Sequence, residues 1–250
     1  MRVALITGAS GGIGRALANR LRADGWQLAL VGRDATRLAE AATAADASII
    51  ADVSTEAGAA SALAATLERF GAPPTALAHC AGNSLIAPVT RTREADYRGV
   101  LAANLDSAFF TLKAWLGALT DARQPGSAVL FSSVVAAIGV ANHAAIAAAK
   151  AGVEALVRSL AADYSGAGIR LNAIAPGLTR TPLTARMLTS ERSREQVALQ
   201  YPLGRHGEAE DAAALAAFLL SDNAGWITGQ TIALDGGFTA VRPLVRAASA

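Results

Sequence analysis

The chain has 250 residues, of which 52% are hydrophobic and 17% charged, so it can bury a substantial core as one domain. A net charge of +2 without a cationic run argues against a nucleic-acid partner, and no apolar run reaches the roughly 18 residues of a membrane span. The only cysteine, Cys80, excludes an intramolecular disulfide, and an apolar run from Val3 leaves no room for a signal peptide. Together these features predict a cytoplasmic protein.

The first element is a short apolar run over residues 3–6, which ends at three spaced glycines before a helix-forming stretch over residues 15–21. Gly8 permits a tight turn, Gly12 leaves no Cβ between the backbone and a pyrophosphate, and Gly14 lets the helix pack close to the strand. A strand, a glycine-rich turn and a helix in this order bring a phosphate to the helix N-terminus. The stretch therefore predicts a dinucleotide-binding turn.

Short β-like runs alternate with longer helical runs along the rest of the chain, which predicts parallel βαβ units. The six further strands are predicted at residues 26–31, 48–51, 75–78, 128–131, 169–174 and 231–234. Alanine-rich stretches, such as 35–45 and 209–220, favour helices that pack closely. The predicted fold is therefore α/β, a single doubly wound Rossmann domain over residues 1–250, with a seven-stranded parallel sheet and helices on both faces.

Residues 179–202 form an insertion between the sixth strand and the last helix. The segment contains Pro182 and Pro202 around a polar middle. It follows a strand end, and polar or glycine residues cluster at all such ends, where an open parallel sheet binds its ligands. The insertion is predicted to be a mobile lid over the substrate, or else a surface helical hairpin with no such role.

Motifs spread over nearly the whole chain resemble those of the short-chain dehydrogenase/reductase family. The glycine turn is similar to that family's cofactor turn, and residues 202–205 and 227–237 are similar to its bacterial 3-oxoacyl-carrier-protein reductase-like branch. Ala81-Gly82 resembles the end of the family's Asn-Asn-Ala-Gly motif, with His79 and Cys80 in place of the asparagines. The resemblance implies a nicotinamide cofactor bound by Gly8, Ser10, Gly12, Ile13, Gly14, Arg33, Asp52, Val53, Ala81, Gly82, Lys150, Pro176, Gly177 and Thr181.

The end of the second strand indicates which nicotinamide cofactor is bound. An NAD site places a carboxylate there to accept hydrogen bonds from the ribose hydroxyls. In this chain the position is Gly32, followed by Arg33, whose guanidinium suits a 2′-phosphate. Asp34 fits as the N-cap of the next helix. The sequence therefore predicts NADP(H) in preference to NAD(H).

The resemblance also implies where the catalytic groups lie, and one of them is missing. The family pairs a Tyr with a Lys four residues later and with a Ser thirteen residues before. Ser133 and Lys150 stand in register, but the Tyr position is Ile146, which has no proton to give. Asn104 resembles the asparagine that holds a water in the family's proton relay. The candidate catalytic residues are Ser133, Lys150, Asn104 and His143.

Three hypotheses follow from the missing tyrosine. In the first, His143 takes the place of the donor, because it lies three residues before Ile146 and shares a helix face with it. Enoyl reductases of the superfamily carry their Tyr seven residues before the Lys, which is the position of His143. Reduction of an activated C=C bond would then proceed with Ser133 and His143 holding the enolate oxygen.

In the second hypothesis, a carbonyl or imine is reduced with a proton from a water that Asn104 and Lys150 hold, or from Tyr201 or His206 in the insertion. In the third, the chain is a catalytically silent NADP(H)-binding protein, either a pseudoenzyme or a regulatory or structural subunit. His79 and Cys80 are interpreted as packed residues under the cofactor.

The predicted partners are a small-molecule or carrier-bound substrate and further copies of the chain. The resemblance implies a homotetramer or homodimer, with one interface on the helices over residues 104–115 and 146–160 and another on the last strand. Because no cluster of cysteine and histidine has the spacing of metal ligands, no metal site is predicted.

Overall fold

The structure, a computed structural model, describes residues 2–242; Met1 and residues 243–250, the last part of the predicted domain, lie outside the described residues. The strands are β1 (Val3–Thr7), β2 (Gln27–Gly32), β3 (Ala47–Ile50), β4 (Ala76–His79), β5 (Gly126–Phe131), β6 (Ile169–Pro176), β7 (Thr179–Arg180), β8 (Gly207–Glu208) and β9 (Thr231–Leu234). The helices are α1 (Gly12–Ala23), α2 (Ala35–Ala39), α3 (Glu56–Phe70), α4 (Glu94–Leu101), α5 (Ser107–Ala122), α6 (Ala144–Tyr164), α7 (Glu191–Ala198) and α8 (Ala209–Leu220).

Seven of the strands form one parallel sheet in the order β3-β2-β1-β4-β5-β6-β9. The order runs in one direction from β1 to β3 and in the other from β4 to β9. At that reversal the connections leave β1 and β4 toward opposite sides, so a crevice opens beyond their carboxyl ends. The predicted α/β fold with seven parallel strands is confirmed, and the observed strands agree with the predicted ones within two residues at each end.

Helices cover both faces of the sheet because side chains along each strand alternate between the two faces. Leu5 packs with residues of α3, α5 and α6, among them the fully buried Trp115. Its neighbours Ala4 and Ile6 pack on the other side with residues of α1 and α8. The buried strands read as almost continuous apolar runs for this reason.

The predicted helix over residues 35–45 is wrong beyond Ala39, where α2 ends. The side chain of Asp46 accepts hydrogen bonds from the backbone N–H and the hydroxyl of Thr43, at 2.7 and 2.9 Å. The same carboxylate binds Arg22 of α1 at 2.7 Å. These bonds offer the backbone an alternative to the helix, which the alanine content alone does not indicate.

The insertion is closed at its base by β7 and β8, which pair in parallel and were not predicted. An ion pair between Arg180 and Glu208 joins the same two strands at 2.8 Å. We call the pair of β7 and β8 the neck of the insertion. Residues 181–206 lie between these two strands in the chain and contain the short helix α7. Within residues 2–242, no helix is long and apolar enough to cross a membrane.

Candidate active site

A cavity of about 380 Å³ opens at the carboxyl ends of β1, β2, β3 and β4. Seven of the residues predicted to bind cofactor line it, and seven others lie outside its wall. Those in the wall are Gly8, Ser10, Arg33, Asp52, Val53, Ala81 and Gly82. The other seven are Gly12, Ile13, Gly14, Lys150, Pro176, Gly177 and Thr181.

The glycine turn forms one end of this cavity. Gly8 has a positive φ of 63°, and a Cβ on it would lie 2.6 Å from the backbone nitrogen of Ala81, so only glycine fits. A Cβ on Gly14 would overlap the carbonyl oxygen of Gly8. Helix α1 begins beside Gly11 with no side-chain cap and no acidic residue in its first turn. Its free N–H groups therefore suit an anionic group such as the pyrophosphate of a dinucleotide.

The start of the insertion lies directly on this turn. A Cβ on Gly12 would be 2.8 Å from Cβ of Thr181 and 3.1 Å from Cδ of Pro182. Thr181 is in turn held by Thr184, whose hydroxyl accepts the Thr181 N–H at 3.1 Å. The structure thus brings Thr181 next to the glycine turn.

Two arginines line the cavity beyond the end of β2. Arg33 directly follows β2, and Arg37 lies within α2; both line the cavity. Asp34 caps α2, and its Oδ1 accepts the backbone N–H of Arg37 at 3.0 Å. Sequence analysis missed Arg37, although its spacing of four residues from Arg33 indicates that the two lie near each other.

Asp52 lies beyond the end of β3 in the same wall. Its Oδ1 accepts the hydroxyl hydrogen of Ser54 at 2.7 Å and the Ser54 N–H at 3.1 Å. The hydrogen bond from the Ser54 hydroxyl holds the pKa of the Asp52 carboxyl below its usual range. Asp52 is therefore ionised and fixed in orientation by Ser54, a further lining residue that the sequence analysis did not include.

Gly82 lines the cavity, and Lys150 and Asn104 lie directly behind it. We call these three residues the inner end of the cavity. A Cβ on Gly82 would lie 2.6 Å from Oδ1 of Asn104 and 3.6 Å from Nζ of Lys150. Nζ donates a hydrogen bond to the carbonyl of Phe131 at 2.7 Å. Burial of the Lys150 side chain lowers its pKa to about 8, so the ammonium can exchange a proton near neutral pH.

Asn104 lies in a π-helical turn, Ala102–Asp106, between α4 and α5. Its Nδ2 donates to Oδ1 of Asn83 at 2.9 Å and to the carbonyl of Val100 at 2.9 Å. Its Oδ1 has no hydrogen-bond partner, although Asn104 is only 1% exposed. A buried acceptor without a partner is costly, so the gap between Oδ1 and the Lys150 ammonium suits a water or a polar ligand atom.

Ile146 is buried in a small apolar cluster with Val100 and Ala149. Leu85 and Leu105 are among the partly buried side chains that pack against this cluster. The residue lies one helical turn before Lys150 on α6. Its aliphatic side chain therefore contributes shape and exclusion of water at this position, but no proton.

The other two candidate catalytic residues lie at the ends of elements. Ser133 follows β5, and its Oγ accepts the N–H of Val135 at 3.4 Å, which leaves its own hydrogen free to donate. His143 precedes the first residue of α6 and is half-buried; its Nδ1 donates to the carbonyl of Ala141 at 2.7 Å. In the neutral form of His143, Nε2 is therefore an acceptor, and only the imidazolium can donate a proton from Nε2. Neither residue lines the cavity.

Tyr201 and His206 lie at the neck of the insertion, in a second cavity of about 100 Å³ with Gly177. The hydroxyl of Tyr201 accepts the N–H of Leu178 at 2.7 Å, and burial raises its pKa. The Tyr201 ring packs against Phe238, with centroids 5.1 Å apart. These contacts anchor Tyr201 to the segments that follow β6 and β9, and neither Tyr201 nor His206 lines the larger cavity.

His79 and Cys80 lie where β4 ends. Cys80 lines the larger cavity, and His79 is buried. Burial raises the pKa of the Cys80 thiol to about 12, so it is neutral and unreactive. Among residues 2–242, no group of three or more His, Cys, Asp or Glu side chains is arranged to hold a metal ion.

Comparisons with known proteins show which family the chain resembles. A family model described as enoyl-(acyl carrier protein) reductase matches residues 8–239. Levodione reductase of Leifsonia aquatica is 37% identical, over 96% of this chain and 94% of its own. A protein named inactive 2-(S)-hydroxypropyl-CoM dehydrogenase 2, of Xanthobacter autotrophicus, is 37% identical over 87% of this chain and 96% of its own.

The solved structures give the same result at the level of the fold. A short-chain type dehydrogenase/reductase from Mycobacterium ulcerans superposes with a TM-score of 0.90 at 33% identity. The match covers 96% of this chain and 90% of that one. The chain therefore belongs to the short-chain dehydrogenase/reductase family, whose members are oxidoreductases that bind a nicotinamide cofactor.

Proposed function

We propose that the chain is an NADP(H)-dependent reductase whose active site works without a tyrosine. Its substrate is a small or carrier-bound compound with a carbonyl, an imine or an activated C=C bond. The observation that carries this proposal is that Nζ of Lys150 and Oδ1 of Asn104 both lie beside Gly82, at the inner end of the cavity. A buried ammonium near a buried acceptor that lacks a partner can move a proton. The aliphatic side chain of Ile146 cannot do so.

The preference for NADP(H) is supported by charge at the end of β2. Gly32 provides no carboxylate, and Arg33 and Arg37 both line the cavity. The carboxylate of Asp34 already accepts the N–H of Arg37 at the start of α2. Two guanidinium groups suit the 2′-phosphate of NADP(H), whereas the ribose hydroxyls of NAD(H) need an acceptor.

When bound, the nicotinamide supplies the hydride, and the chain must supply the matching proton. The free hydrogen of the Ser133 hydroxyl binds the substrate oxygen or nitrogen and holds the developing negative charge. The Lys150 ammonium gives its proton through a water held against Oδ1 of Asn104, and it regains one from solvent. One hydride and one proton are thereby added across the double bond.

The largely exposed insertion over residues 181–206 is proposed to close this site. Thr181 already touches the glycine turn, and the neck between β7 and β8 fixes both ends of the segment. An insertion closed over the site would exclude water from the place where the hydride is transferred.

The names of the relatives are compatible with the proposal. The matching family model and levodione reductase are described as reductases, for an enoyl thioester in the first case. One relative at 37% identity is named inactive, so turnover itself has to be measured.

The test is NADPH oxidation with ketones, imines and enones, for the wild type, Ile146→Tyr and the size-matched control Ile146→Phe. We expect the wild type to reduce at least one class. Ile146→Tyr should raise ketone reduction about 100-fold or more, because the phenol adds an acid, whereas Ile146→Phe should not. A wild type silent with all three classes, beside an active Ile146→Tyr, would identify a silent NADP(H)-binding protein. Loss of enone reduction in His143→Ala would instead assign the proton donor to His143.

A further inference from the structure

His79 lies at the end of β4 with both ring nitrogens hydrogen-bonded inside the protein. Nδ1 lies 2.9 Å from the hydroxyl oxygen of Thr7, and Nε2 lies 3.1 Å from that of Ser107. The residue is 3% exposed, and burial lowers its pKa to about 3, so the ring is neutral. One nitrogen of the ring therefore donates and the other accepts.

The partners decide which nitrogen carries the hydrogen. The Ser107 hydroxyl lies 2.8 Å from the carbonyl of Ala103, which can only accept, so Ser107 donates there. Ser107 must then accept from Nε2–H of His79, and the Thr7 hydroxyl must donate to Nδ1. Thr7 in turn accepts the N–H of Ala81 at 3.4 Å. A chain of hydrogen bonds with a single direction thus runs from the Ala81 N–H to the Ala103 carbonyl.

This chain ends in the π-helical turn that carries Asn104. The backbone N–H of Ser107 bonds to the carbonyl of Ala102, five residues back, instead of to Ala103 as in an α-helix. The Ala103 carbonyl would lack that α-helical partner, and the Ser107 hydroxyl takes its place. His79 fixes the direction of that hydroxyl, so the ring supports the geometry of the residue next to Ala103. Ala81, Ala103 and Ser107 also line the larger cavity.

We propose that His79, held as the neutral Nε2–H tautomer, is a positioning residue that sets the π-helical turn through Ser107 and so directs Oδ1 of Asn104 toward Lys150. For the role of Asn104 in proton transfer, this inference rests on the proposed function. The direction of the hydrogen bonds and the position of Asn104 do not depend on turnover.

The first test is the ¹⁵N NMR spectrum of the imidazole rings in the wild-type protein. The chain has 3 histidines, so His143→Ala and His206→Ala assign the signals by difference. We expect one ring, that of His79, to stay a neutral Nε2–H tautomer from about pH 5 to pH 8, where an exposed histidine titrates. A His79 ring that titrates in this range, or that carries its hydrogen on Nδ1, would overturn the proposal.

The second test compares Ser107→Ala with Thr111→Val, which removes another buried hydroxyl from α5. Thr111 bonds to the carbonyl of Ser107 and takes no part in the chain from His79. Ser107→Ala should shift the ¹⁵N–¹H signals of the Asn104 side-chain amide, whereas Thr111→Val should leave them in place. An unchanged Asn104 amide in folded Ser107→Ala would contradict the inference, whether or not the protein turns over.

The kinetic form of this test uses kcat for NADPH oxidation. Ser107→Ala should lower kcat about tenfold or more through misplacement of Asn104. Asn104→Ala should lower it at least as much, and the double variant no further, because both changes remove one function. Multiplicative losses would mean that Ser107 acts independently of Asn104. If no substrate is turned over, the proposed function fails, and the NMR tests still decide the role of His79.

Discussion

The cofactor end of the cavity and its inner end differ in how closely they keep the pattern of the family. At the cofactor end, the glycine turn, Asp52 and the arginines after β2 form an open wall of polar groups. At the inner end, Lys150 and Asn104 lie behind Gly82, and an apolar cluster surrounds Ile146, one helical turn before Lys150. Different elements build most of the two ends, so the proposed function predicts that hydride delivery and proton delivery change separately.

The largest expected effect comes from removing the Lys150 ammonium at the inner end. Lys150→Met keeps the length of the side chain and should lower kcat about 100-fold or more, because the proton donor is lost. Binding of NADPH, measured by fluorescence titration, should weaken less than kcat falls, because Lys150 is only one of the residues implied to bind the cofactor and the arginines and the glycine turn are intact. Lys113→Met, at the other lysine of the chain, is the control on the exposed side of α5. Equal losses in the two variants would refute a special role for Lys150.

Filling the gap at Gly82 tests the space between Asn104 and Lys150. In Gly82→Ala the new Cβ would lie 2.6 Å from Oδ1 of Asn104, so the asparagine must move, which would disturb the proposed water site. We expect kcat to fall about tenfold to 100-fold. Gly99→Ala on α4, where a Cβ meets nothing within 4 Å, should keep kcat and stabilise the fold by about 1 kcal/mol. An unaltered kcat in Gly82→Ala would argue against a role in proton transfer for the space between Asn104 and Lys150.

The pH dependence separates the ammonium from general stability. Because the pKa of Lys150 is lowered to about 8, kcat for reduction should fall about tenfold per pH unit above that value. Stability should move in the opposite direction. Unfolded Lys150 keeps its usual pKa of 10.5, so between about pH 8 and 10.5 the unfolded chain binds more protons, and rising pH favours the folded state as far as Lys150 is concerned.

Parallel measurements of kcat and of the free energy of unfolding check this. In Lys150→Met the rise in stability from this residue should vanish, while the rest of the pH profile of unfolding stays the same. A kcat that is level from pH 7 to pH 9.5 would exclude the Lys150 ammonium as the acid.

Local patterns in the sequence were sufficient to predict the sheet. Each buried strand is a short apolar run that ends at glycine or a polar residue, and the glycine turn needs only its own spacing. Features that depend on distant contacts were not predicted. Helix α2 ends early because Asp46 binds Arg22 of α1, and β7 pairs with β8 across the insertion.

The candidate site divides in the same way. Ser133, Lys150 and Gly82 follow from motifs, because each has a fixed distance from a strand end or along a helix. The π-helical turn at Asn104 has no local marker. It involves Ser107, which meets His79 from 28 residues away, so only the folded chain brings them together. Arg37 was missed because sequence spacing suggests only that it lies near Arg33, without showing that both line a cavity.

The smallest expected effect is at the cofactor end, where several groups share the binding. Arg33→Ala should weaken NADPH binding about tenfold, because Arg37 remains near the 2′-phosphate. Gly32→Asp should weaken NADPH and strengthen NADH, since the new carboxylate repels the phosphate and accepts from the ribose hydroxyls. The change fits sterically, because a Cβ on Gly32 would lie 3.4 Å from Leu38 and 3.6 Å from Ser10, in ordinary contact.

Dissociation constants for both cofactors, with exposed Arg69→Ala as the control, measure this preference. The inner end should be unaffected: with a saturating cofactor, Gly32→Asp should keep the wild-type pH dependence of kcat. A change in that profile would mean that the two ends are coupled, and the separation of hydride delivery from proton delivery would be wrong. If the ratio of NADPH to NADH affinity is unchanged in both variants, residues other than those at the end of β2 determine the cofactor preference.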